Sequence, residues 1–542
     1  MVKSFLSILA ARQNSILSGA MVLMVAIFAS KFLGLIKDRL LFHNFDTTQS
    51  AIFFAAFKLP DLIFQLLIFG SLSVAFIPIF TEYLHQKGPR QAFEFASNIL
   101  NLSLLVFGLV ALIAFIFVVP LNSLLIPGFS GHQKEVTDQL TKIILLSQLF
   151  LIIGSFFIAV GQSYQRFIVP ALAPFFYNVG IILGITVLSQ FFGIYGPAFG
   201  VLIGAVLHVL IQVPLIKSLG FKYQLSFDFL NKGVKEIFRL MSIRNIGLIA
   251  EQINDVVAIA LSSVISYSSV SLLTVAQHLQ TAPIGLFGAT IAQAALPVLS
   301  REQSRNESPA FKITLLTTMH QILFLVLPVS AILIILRIPL VRLVFGAARF
   351  SWEDTVLTGW TVAFLSLGLV SQSVVLLLVR AFYALKDTKT PVIVSIISVA
   401  VNILLSLLFI NVMHLPVWGL GISYSVSSNL SLVLLFSFLH KRVGGFNLYS
   451  LLMPAFKMLV SAAVAAVALY IPIKQLDQLV FDTTRTVNLI ILTVIASCFG
   501  LIVYIILVWL LKIKELYTYA ELVKKIGRTK LKVTPKEVVG ET

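Results

Sequence analysis

Fourteen mostly apolar stretches follow one another along this 542-residue chain, near 14–41, 51–81, 92–120, 140–161, 171–190, 193–216, 236–266, 270–299, 311–343, 355–385, 390–413, 416–439, 450–473 and 486–511. Each holds about 18 residues or more, enough to cross roughly 30 Å of hydrocarbon at about 1.5 Å per residue. Composition points the same way. Charged residues make up 11% and hydrophobic ones 58%, with a mean hydropathy of +1.01, where a soluble domain carries about a quarter charged. The expected fold class is therefore an all-α polytopic membrane protein of about 14 transmembrane helices.

The net charge of +17 would point to nucleic acid in a soluble protein, but here its distribution matters more. With the N-terminus inside, the inner segments carry 17 Lys and Arg and the outer loops 5. That bias places both termini in the cytoplasm and excludes a nucleic-acid partner. The first span lacks a small-residue cleavage site after a short apolar core, so it is expected to stay as a span. The tail "KIKELYTYAELVKKIGRTKLK" reads as a basic, lipid-facing anchor. Cys498 is the single cysteine, which excludes a disulfide framework or a Cys-based metal site. No P-loop, no metal-spaced cluster and no long soluble segment occurs, so neither an enzyme nor a nucleotide-driven pump is expected, and no cofactor.

The chain repeats itself at an offset near 220. "SVAFIPIFTEY" and "AQAALPVLSRE" align Pro78 with Pro297, 219 apart, and Pro60 lies 223 before Pro283. "SYQRFIVPALAPFFYNVGIILGI" parallels "FYALKDTKTPVIVSIISVAVNILLSL", with Tyr164 and Tyr383 again 219 apart. An even number of spans per repeat gives two parallel six-helix lobes about an axis along the membrane normal, with a cavity between them. The expected division is 1–220 and 221–445 for the lobes, 446–512 for two extra helices, and 513–542 for the basic tail.

Ionisable residues deep in a span cost about 2.5–3.5 kcal/mol on insertion scales, so they face a bundle interior or a wet cavity. The first span carries Lys31, Lys37, Asp38 and Arg39. At about 100° per residue, Asp38 falls within roughly 20° of Lys31, so a Lys31–Asp38 pair with the others snorkelling is the alternative to a site. The second span adds Lys58, Asp61 and Gln65. In the second half "IRNIGLIAEQINDVV" brings Arg244, Glu251, Gln252 and Asp255, and "AQHLQTAPIG" brings Gln277 and His278. Glu251 and Asp255, one turn apart, repel and so call for a proton or Na⁺. Lys31, Lys37, Asp38, Arg39, Lys58, Gln252 and His278 are the candidate substrate-binding residues, and Glu251 and Asp255 the candidates for ion coupling. The first half is the more cationic, which suits an anionic substrate such as a diphosphate.

"SKFLGLIKDRLL", "AAFKLPDLIFQLL", "GSLSVAFIPIFTEY", "RFIVPALAPFFYNVG", "LPVLSRE" and "ALKDTKTPV" resemble the MurJ (MviN-type) lipid II flippases of the multidrug/oligosaccharidyl-lipid/polysaccharide exporter superfamily. The resemblance implies a V-shaped pair of lobes in the bacterial inner membrane. It implies a lipid-linked peptidoglycan precursor as cargo, carried between leaflets by alternating access, with membrane lipids and enzymes of wall synthesis as partners. It also implies that basic residues of the first span, here Lys31 and Lys37, meet the diphosphate, and that the last two spans shape a groove for the polyprenyl tail. This chain has Phe64 and Phe69 where many members carry an Arg and a carboxylate, and His278 and Thr281 where many carry an Arg and a Glu. A flippase for another polyprenyl-diphosphate glycan, a cation-coupled exporter and a non-transporting scaffold stay open at this point. So does the driving force, since membrane potential, H⁺ and Na⁺ all suit these residues.

Overall fold

A computed structural model describes residues 16–69, 76–305, 307–346, 349–479 and 486–528, and among them there is no strand. In order, the long helices are α1 (Ile16–Asn44), α2 (Thr47–Leu67), α3 (Ile77–Ile116), α4 (Gly131–Ser163), α5 (Ile168–Phe192), α6 (Tyr195–Ser218), α7 (Lys232–Ile265), α8 (Ser269–Ser304) and α9 (Ser308–Ile335). Then come the bent pair α10 (Trp352–Ser366 and Leu369–Ala384), α11 (Lys389–Val412), α12 (Trp418–Arg442), α13 (Leu448–Leu479), α14 (Thr486–Leu510) and the short α15 (Lys514–Arg528).

Eleven of these helices are long and apolar enough to cross a membrane, and α10 adds a twelfth if its two parts, bent by 41°, count as one span. The expected fourteen is not confirmed by that measure. The two outside it are α1 and α7, 29 and 34 residues long, which carry most of the intramembrane charges.

The halves share one packing plan. Helix α1 lies on α5 as α7 lies on α11, α2 on α4 as α8 on α10, and α5 on α6 as α11 on α12. The backbone repeats too. Wide π-type turns fall at Gln65–Phe69 and Ile284–Ala289, 219 apart at their starts, and at Gly184–Leu188 and Leu408–Val412, 224 apart. Left-handed residues pair at Gln165 with Lys386 and at Gly193 with His414, each 221 apart. One hydrogen-bonded pair is also duplicated. Asn178 on α5 donates to the Ser30 carbonyl on α1 at 3.3 Å, and Asn402 on α11 donates to Asn254 Oδ1 on α7 at 2.5 Å; both partners are displaced by 224. Such asparagines join helices in a solvent that offers no other partner.

Outside the repeat, α13 packs on α14 and α9. Residues 221–231, which join the halves, lie extended along α3. Asn98 brackets the Asp228 backbone, and Asn101 donates to the carbonyls of Gln224 and Ser226.

At the end opposite the basic loops the halves are fastened. Thr47 Oγ1 donates to Asp354 at 3.1 Å, Ser271 to the Thr47 carbonyl at 2.7 Å, and the Gly128 amide to Ser263 at 3.1 Å. Phe42 meets Phe345 and Phe350 edge-on beside them. Among the described residues, the side-chain hydrogen bonds between halves lie at this end, at mid-depth, or along the 221–231 strap.

Candidate functional site

The first span's charges meet the second half at mid-depth. Asp38 is 1% exposed, and a carboxylate so placed needs compensating charge. Lys37 Nζ stands 3.3 Å from its Oδ1, and His278 Nδ1, from α8, stands 2.8 Å from its Oδ2. The alternative Lys31–Asp38 pair is not formed. Lys31 instead is exposed and lines a cavity of about 150 Å³ with Gly34, Lys37, Asp38, His278 and Thr281. The same Lys31 lines an adjoining apolar cavity of about 300 Å³ with Phe28, Phe32, Leu286 and Leu333.

Arg39 does not join this group. Its guanidinium donates to the Leu343 carbonyl in the short helix Arg337–Phe345, so it serves the fastened end.

The second span extends the polar zone. Lys58 lies within electrostatic reach of Asp61 and, across the halves, of Asp255. Gln148 donates to Asp61 at 3.3 Å, and Gln252 donates to Gln65 at 2.8 Å, a second bridge between halves. Phe64 packs with the first half's own core. Gln277 is half-buried. The side chains of Arg244 and Phe69 lie outside the described residues, as does the tail beyond Arg528.

Glu251 and Asp255 line a different cavity, about 240 Å³, inside the second half with Asn254, Ser398, Asn402 and Tyr424. Its donors are oxygens, as a hard cation prefers. Two of them, Ser398 Oγ and Asn402 Oδ1, are buried with no hydrogen-bond partner among the described residues. Sequence reading named the two acids but passed over Ser398, Asn402 and Tyr424. The repeat carried the signal, since Asn178 and Asn402 stand at matching places.

A third cavity, about 770 Å³ and apolar, lies against α13, with Leu323 and Leu327 of α9 and Leu452 and Phe456 of α13 in its wall. Helix α14, expected to help shape a tail groove, does not line it.

The chain was compared with known proteins. A family model described as lipid II flippase MurJ matches residues 44–492. A probable lipid II flippase MurJ of Bdellovibrio bacteriovorus is 28% identical over 501 residues, covering 90% of this chain and 94% of the relative. One from Buchnera aphidicola subsp. Baizongia pistaciae is 28% identical over 414 residues, covering 76% and 81%. Among solved structures, a lipid II flippase MurJ in an inward closed conformation superposes with a TM-score of 0.74 at 24% identity, covering 93% of this chain and all of that one. An inward-facing multidrug transporter of the MATE family superposes at 0.65 and 15% identity, covering 77% and 94%. With the family model spanning most of its length, this chain belongs to the lipid II flippase MurJ family.

Proposed function

We propose that this protein carries lipid II, the undecaprenyl-diphosphate-linked peptidoglycan precursor, from the inner to the outer leaflet of the bacterial inner membrane by alternating access. The observation that carries the reading is the position of Lys31 at the junction of a small charged cavity and a larger apolar one. A lipid diphosphate needs that junction, with an ammonium for the phosphates and an oily wall for the first isoprene units. Lys37 and His278 border the same cavity, held by Asp38. An ammonium binds as a point charge where a guanidinium would grip with a fork. The fastened end opposite the basic loops supports a gate closed on the outer side, with both termini on the cytoplasmic side. The paired packing plan supports two lobes moving against each other, and the enzymes that make and use lipid II are the partners this implies.

Glu251 and Asp255, with the orphaned oxygens of Ser398 and Asn402, support cation coupling within the second lobe. Asp255→Asn is expected to abolish any stimulation of transport by Na⁺ or by a proton gradient while lipid II binding is retained. Equal stimulation in wild type and variant would remove the coupling role.

The deciding experiment is outer-leaflet exposure of lipid II in cells depleted of their own flippase. A probe that attacks only outward-facing lipid II reports it. Wild type is expected to restore exposure, and Lys31→Ala and Lys37→Ala to lose it while inserting normally. Failure of correctly inserted wild type would overturn the reading.

A further inference from the structure

Two residues beyond α14 the chain turns at Lys512, in the left-handed region at φ 53°, and enters α15. At about 100° per residue, Lys514, Thr518, Glu521, Lys524, Lys525 and Arg528 fall on one face. Leu516, Tyr519, Val523 and Ile526 fall on the other. That is an amphipathic helix with a basic polar face, of the kind that lies in a membrane interface. It begins where an interface belongs, because Trp509 and Leu510 at the end of α14 are 57% and 59% exposed and Tyr517 on α15 is 49% exposed.

One residue breaks the pattern. Glu515 belongs by register to the apolar face and is 8% exposed. His320 of α9, itself 6% exposed, answers it, with Nδ1 3.5 Å from the Glu515 carboxylate. The other ring nitrogen donates to the Leu451 carbonyl of α13 at 3.0 Å. One turn along α9, Phe324 stacks on Tyr519 with ring centroids 5.4 Å apart. The start of α15 is thereby pinned to the two helices that supply most of the wall of the 770 Å³ apolar groove, while Lys514, Thr518 and Glu521 on the polar side of its register are exposed.

We propose that α15 is a docking surface for anionic phospholipid headgroups of the cytoplasmic leaflet, held in register with the apolar groove by the Glu515–His320 pair. The occupant follows from charge and place. The polar face carries four cations against one carboxylate and continues directly from a crossing helix, where anionic lipid attracts juxtamembrane Lys and Arg. The inference rests on the membrane orientation above but not on the identity of the cargo.

The test is amide exchange over 514–528 in the full-length protein, in nanodiscs of phosphatidylcholine alone and of phosphatidylcholine with phosphatidylglycerol. Exchange is expected to be about tenfold slower in the anionic discs, with the difference shrinking in high salt and vanishing in Lys524→Glu/Lys525→Glu. Glu515→Gln and His320→Ala are expected to speed exchange of the first turn of α15 in both discs while leaving α4 unchanged, which shows the bundle intact. Equal exchange in the two lipids, or a difference that survives Lys524→Glu/Lys525→Glu, would overturn the lipid role. Unchanged exchange in both Glu515→Gln and His320→Ala would overturn the pin. Lipid II appears in none of these readouts, so this inference and the flippase reading fail separately.

Discussion

Asp38 organises the centre of the molecule because a buried carboxylate must be answered. Lys37 and His278 answer it, which leaves Lys31 facing the cavity. The two lysines therefore have separable roles. Lys31→Ala is expected to cut lipid II exposure at least tenfold with no change in thermal stability. Lys37→Ala is expected to cut transport and also to cost about 1–3 kcal/mol, because Asp38 Oδ1 loses its counter-charge. Exposure assays paired with thermal unfolding in detergent read both. Sequence reading offered Lys31 as a partner for Asp38. Helical periodicity fixes angle, yet seven residues are also about 10 Å of rise. The true partners are the neighbouring lysine and a histidine 240 positions away, a contact that periodicity does not encode.

Elements show where duplication was kept. Helices α5 and α6 touch backbone to backbone through glycines. A Cβ on Gly204 would lie 2.4 Å from the Tyr177 carbonyl, and one on Gly180 would lie 2.2 Å from Gly204 itself. Close approach of this kind is how membrane helices gain contact without a hydrophobic driving force. Gly204→Ala is expected to cost about 1–3 kcal/mol through overpacking, seen as a lower unfolding temperature and a lower membrane yield. The strap 221–231 makes a second prediction. In the double variant Asn98→Ala/Asn101→Ala, the backbone carbonyls and amide it held turn to water. Protease applied to inside-out vesicles is expected to cut within 222–230 several-fold faster than in wild type, with α3 and α4 intact. Nothing in the sequence marks this stretch as a strap, since asparagines on α3 give no sign of what they bind.

The whole molecule is fastened at one end and joined by charge at the middle. Alternating access requires the fastened end to part. A reducible thiol cross-linker between Thr47→Cys and Asp354→Cys, in a Cys498→Ser background, is expected to stop lipid II exposure, and reduction is expected to restore it. Transport that continues with the link complete would show that this end does not open. Arg39 belongs to this scale. Beside Lys37 and Asp38 it reads as a cavity residue, but α1 rotates it toward the second half's Leu343 carbonyl, where it helps close the end.

Sequence alone determined the membrane class, the helical architecture and the repeat. Those follow from apolar length and from prolines and tyrosines spaced by offsets near 220, and local chemistry specifies them. It also marked α1 and α7 as the charged helices, because a charge in a lipid-length segment stands out wherever the helix packs. Tertiary structure decided which charges share a cavity, which oxygens are left unpaired, and that Glu515 finds His320. Each of these depends on how helices distant in sequence are rotated against one another. That rotation is set by side-chain packing over the whole bundle, and no single segment carries it.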